Sequence, residues 1–155
     1  MSQEGTGYRQ ELTTKLSVLC RKLDDKYDVN NGGCCFLAYC IARELEKRDI
    51  SFDLVLYDDE LPSEFTLYNN IKEHNKDRIP LGHFTVAHYT LRIGNVVINS
   101  FEWPDEYQVV KNISCSDIKY IYYHGSWNRS YNGKYNRVIS RLVHKFFKDY
   151  DKEKC

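Results

Sequence analysis

The chemistry in this chain centres on a thiol at the mouth of a helix. Residues 30–38 read Asn-Asn-Gly-Gly-Cys-Cys-Phe-Leu-Ala, a polar, glycine-rich turn running into an apolar helical pattern. Paired glycines let a ligand approach the backbone closely. The first turn of the helix presents free N–H groups and the positive end of the helix dipole, which favour a thiolate there. A buried core cysteine behind a tight turn fits the same residues. Two cysteines compete for the role. At about 100° per residue, Ala38, Ile41 and Leu45 fall on the Cys34 side, and Arg43, Glu46 and Lys47 fall opposite. Cys34 therefore lies at the middle of the packed face and Cys35 near its boundary, so Cys34 is the expected nucleophile.

A base for that thiol is found on a hairpin. Residues 83–93 read as a strand, Gly94-Asn95 as a two-residue turn, and residues 96–101 as the return strand. That loop length sets the register: Ile93 opposite Val96, Thr90 opposite Asn99, His88 opposite Phe101. Alternation puts His88, Thr90 and Asn99 on one face, His88 and Asn99 as diagonal neighbours, and His83 on the other face. An imidazole takes the cysteine proton while a third group fixes its tautomer and orientation. A core histidine and a strand-end asparagine would look the same pair by pair; the order Cys34, His88, Asn99 in one chain favours the chemical reading.

In that order the residues resemble the papain-like cysteine peptidases and their relatives, the transglutaminase-like thiol enzymes. His88 through Asn99-Ser100-Phe101 looks like the papain hairpin, in which an aromatic after Asn-Ser covers the His–Asn contact; Phe101 takes that place, with Trp103 next in reach. Gly32-Gly33-Cys34, Ala38 and the following Asp49-Ile50 look more like the transglutaminase-like branch. The cysteine motif of papain itself is absent, and transglutaminases usually carry Asp where Asn99 stands. The resemblance spans about residues 30–103. It implies an α+β, minimal papain-like fold, with helices packed on a small antiparallel sheet. It also implies nucleophilic attack on a carbonyl by Cys34, His88 as base and then acid, and Asn99 as the orienting group. The oxyanion would be held by the Cys34 N–H, with Asn30 or Asn31 as a second donor. These asparagines equally suit helix capping.

The rest of the chain must position those groups. Tyr8, Leu12, Leu16, Leu19, Leu23 and Tyr27 recur at helical spacing, predicting a first helix over residues 8–27. The second helix is expected over residues 34–47, and residues 51–57 alternate as a strand. Residues 63–80 are ambiguous and read as a mobile surface segment at one wall of a cleft. Residues 117–123 read as a further strand, with Cys115 in the loop before it. Residues 131–150 read as a last helix, apolar at Val138, Ile139, Leu142, Val143, Phe146 and Phe147, and basic at Lys134, Arg137, Arg141, Lys145 and Lys148. Such a basic stripe is read as a solvated face.

Composition narrows the classes. The 155 residues suit one domain with a proper core. It divides into a helical part over 1–48, a sheet part over 49–127 and a basic amphipathic helix over 128–155. Formal net charge is zero, so no global field recruits nucleic acid or membrane. Residues 51–67 are nonetheless purely acidic in charge, and residues 129–155 hold eight Lys or Arg against three acids. The start lacks a signal-peptide pattern, and no apolar run approaches the ~20 residues of a membrane span. Three of six cysteines crowd residues 34–40, where adjacent thiols cannot easily pair, so reduced thiols and a cytoplasmic location are expected. Neither C-x-x-C nor zinc-type histidine spacing is present, and residues 124–127 lack a G-x-S-x-G context. No metal or cofactor is expected. The function read from these features is a cysteine peptidase or isopeptidase acting on a peptide or protein. The alternatives are an acyltransferase using the same residues and a non-catalytic binding module. Specificity is expected in loops 58–80 and 102–116.

Overall fold

The computed structural model describes residues 3–29, 34–57, 88–98, 107–124 and 133–153. Residues 63–80, His83, Asn30, Asn31, Asn99, Phe101 and Trp103, for which the sequence sets expectations, lie outside the described residues. Among the described residues, four helices accompany a four-stranded antiparallel sheet, an α+β arrangement. Helix α1 (Gln3–Tyr27) starts earlier than its apolar stripe predicts and buries Leu12, Leu16, Cys20 and Leu23. Helix α2 (Cys34–Lys47) has the expected bounds. It ends in paired backbone bonds, Asp49 N–H to Glu46 and Ile50 N–H to Leu45, with Asp49 at φ 55°. That is a Schellman stop with an aspartate in the left-handed position usually given to glycine. Cys34, Ala38, Ile41 and Leu45 are buried, and Glu46 and Lys47 are exposed, as the helical wheel requires.

The sheet runs β3-β2-β1-β4, from β1 (Asp53–Tyr57), β2 (His88–Ile93), β3 (Val96–Val97) and β4 (Gln108–Val110). Gly94, at φ 63°, makes the tight turn of the β2–β3 hairpin, and Ile93 pairs with Val96 as the two-residue loop dictates. Cross-strand partners sort the faces. Leu54, Leu56, Tyr89, Leu91, Ile93 and Val110 share one face and form a single core with α1, α2, α3 (Cys115–His124) and α4 (Asn136–Glu153). His88, Thr90, Val55 and Tyr57 share the other face.

Four expectations are corrected. Residues 117–123 form helix α3, not a strand, and Cys115 opens that helix instead of sitting in a loop. Ser114 Oγ accepts the Asp117 N–H at 3.1 Å while Asp117 Oδ2 accepts the Ser114 N–H at 3.0 Å, a reciprocal cap that starts the helix. Ile118 and Tyr122, one helical turn apart, are both buried. Strand β4 lies within the stretch read as loop 102–116, completing the sheet beside β1. The last helix starts at Asn136, later than expected, and buries Ile139, Val143, Phe147 and Tyr150.

Candidate active site

Cys34 and Cys35, 7% and 1% exposed, are adjacent but face different elements. Cys35 Sγ lies 3.9 Å from the Ile118 carbonyl of α3, where its S–H donates a weak bond. Cys34 Sγ accepts the backbone N–H of Tyr89 on β2 at 3.4 Å. Only the Cys34 sulfur of the pair is thus bonded to the strand that carries His88.

The sheet geometry explains how a thiol on a core-facing helix reaches that strand. Leu91 accepts the Ile98 N–H, and Ile93 pairs with Val96, so alternate residues of β2 turn their backbone groups toward β3. By the same period-two rule Tyr89 points its N–H to that side. Cys34 meets that N–H from α2. His88 is set by its parity with Tyr57 on the face away from α2, their rings 5.9 Å apart. Tyr57 in turn lies edge-on to Tyr107 at 5.6 Å.

Cys34 and His88 line one cavity of about 20 Å³, together with Cys20, Ala38, Tyr89 and Thr90. Thr90 Oγ1 donates to the Ile98 carbonyl, tying this wall to the return chain of the hairpin. The space is water-sized. His88 is only 3% exposed, so both reacting groups are withdrawn from solvent in this conformation.

Burial dominates the electrostatics. It pushes the Cys34 thiol up to about 11, against the N–H groups of Tyr89, Cys35 and Cys34, which favour the thiolate. It pulls His88 down to about 4. Cys20 and Cys40 are pushed up to about 12, and Cys35 also moves well up, all through burial first. Helix-start stabilisation of a thiolate is therefore present in direction and outweighed by desolvation. The resting pair is a neutral thiol and a neutral imidazole.

Two contributors to the site escaped sequence reasoning. The Tyr89 partner is a backbone group, invisible to any residue motif. Cys20 was recognisable as part of the α1 stripe, four residues after Leu16, but nothing in the sequence joins it to Cys34. Comparison with protein-family models, curated proteins and solved structures finds no match to the chain.

Proposed function

We propose that this chain is a cysteine hydrolase of minimal papain-like type that cleaves an amide bond in a peptide or protein through Cys34, His88 and Asn99. The supporting observation is that Cys34 and His88 line one cavity, with the thiol accepting the backbone N–H of Tyr89, the residue after the histidine. Because the resting pair is neutral, His88 takes the Cys34 proton as the sulfur attacks the carbonyl carbon. The tetrahedral oxyanion is held by the Cys34 N–H at the open first turn of α2. His88 then returns its proton to the leaving amine, giving an acyl-enzyme on Cys34. Water, deprotonated by His88, resolves the thioester. Asn99 orients the ring without supplying charge.

A non-catalytic role is the reading that burial favours, since both groups are driven to their uncharged forms inside a water-sized space. One experiment separates the two. Incubation with a peptide aldehyde or activated ester, followed by mass mapping, is expected to place one adduct on Cys34. Cys34→Ala then abolishes the adduct, and Cys35→Ala retains it. An adduct that moves to Cys35, or none at all, contradicts the proposal.

A further inference from the structure

On the far side of α2 lies a second feature that the thiol chemistry does not use. Arg43 is nine residues after Cys34, half a turn round the helix and ~14 Å along it. It forms part of a groove of about 480 Å³ between α2 and α4, where Arg137, Arg141 and His144 also converge and Phe36 forms an aromatic wall. Among the described residues, no carboxylate lines that groove. Arg43 is already fixed: its Nη2 donates to Ser140 Oγ at 2.9 Å, its Nε lies 3.7 Å from Glu44 Oε2, and its guanidinium lies 5.5 Å from the Tyr39 ring centre. Arg137 and Arg141, one turn apart on α4, are exposed and make no ion pair among the described residues. Glu44, a buried acid, is shared among Arg48 at 3.1 Å, His144 Nδ1 at 3.3 Å, Lys47 at 3.4 Å and Arg43 Nε at 3.7 Å. That contact leaves the other edge of the His144 ring for the groove.

Unlike a solvated basic stripe, which spreads its charges into water, these guanidiniums face one concave space. Arginine forks match the oxygens of a phosphate bidentately. A lone carboxylate satisfies one such fork, whereas a phosphate ester can engage several. The volume falls within the range of small-molecule sites, and the half-buried Phe36 gives a planar base an apolar surface to stack on. We propose that the α2–α4 groove binds a nucleoside phosphate, with Arg43, Arg137 and Arg141 on the phosphate and Phe36 against the base. The nucleotide is either free or a unit of a single strand, and the site is independent of Cys34.

The test is calorimetric titration of the full chain at roughly 50 mM salt, with adenosine monophosphate, inorganic phosphate and a short oligoadenylate as probes. Saturable binding of adenosine monophosphate is expected, about tenfold or more tighter than inorganic phosphate. Arg137→Gln/Arg141→Gln should weaken it at least about tenfold, with the melting temperature unchanged because both side chains are exposed. Phe36→Leu should weaken the nucleotide and leave inorganic phosphate alone. A free nucleotide as ligand predicts equal affinity for the monophosphate and the oligomer. A strand predicts tighter oligomer binding with a steeper salt dependence. The proposal is overturned if neither nucleotide probe saturates, if the double variant binds like wild type, or if polyglutamate competes as well as the nucleotides.

Discussion

Burial sets the charge of both Cys34 and His88, and this has a measurable signature in stability. Unfolded, His88 takes a proton as pH falls through its ordinary value of 6.5; folded, it resists until about 4. The unfolded state therefore binds more protons between those values, and stability is complete above about 6.5 and lost on acidification toward 4. The interval of about 2.5 pH units, at 1.36 kcal/mol each, corresponds to about 3 kcal/mol. Denaturant titrations of wild type and His88→Gln across pH 4–7 should differ by a limb of that sign, with the variant flatter. Parallel curves would mean that His88 is not buried as a neutral ring. Cys34 shifts the opposite way for an acid: its neutral form is protected, so its contribution persists at neutral pH and falls away as pH rises from 9 toward about 11.

Helix α3 shows where element-level reasoning fails and what replaces it. Its sequence, Cys-Ser-Asp-Ile-Lys-Tyr-Ile-Tyr-Tyr-His, is rich in β-branched and aromatic residues that favour strands. The decisive signal is the reciprocal Ser114–Asp117 cap, a four-residue pattern that strand propensity overshadows. Asp117→Ala should cost about 1 kcal/mol, read from chemical denaturation, and lower helicity in circular dichroism; an unchanged midpoint would remove the cap from this account. Helix α2 was legible because its apolar face and its polar, glycine-containing approach agree, and the β2–β3 hairpin because Gly94-Asn95 fixes its register. Strand β4 was not legible, being three residues whose partner is set by tertiary pairing. Cys34 and His88 are singled out in the sequence by residue type and order. That both line one cavity could not be read there, because it depends on how α2 packs against β2.

At the scale of the molecule, α2 is the shared element: its start carries the thiol, one side packs on the sheet and on α3, and its far side is tied to α4. Glu44, 1% exposed, anchors that last junction through Arg48 and His144, while Arg48 also grips Asp151 with both nitrogens at 3.0 and 2.7 Å. Burial opposes the charge of Glu44, but the hydrogen bond from Arg48 and the charge of Lys47 lower its pKa on balance. Glu44→Ala removes the buried acceptor of Arg48, which keeps its Asp151 pair, and should cost about 2 kcal/mol in a denaturation midpoint; a cost near zero would make the cluster a surface feature. No helix among the described residues is long and apolar enough to cross a membrane. The central claim, that Cys34 and His88 act as one nucleophilic unit at the mouth of α2, rests most directly on one measurement. Single-turnover acylation of Cys34 by an activated ester should be compared for wild type and His88→Ala across pH 4–9. Wild type is predicted to gain rate as His88 loses its proton on the acid side, and His88→Ala to be slower by about 10²–10⁴. Identical rates and pH profiles for the two proteins would contradict the account.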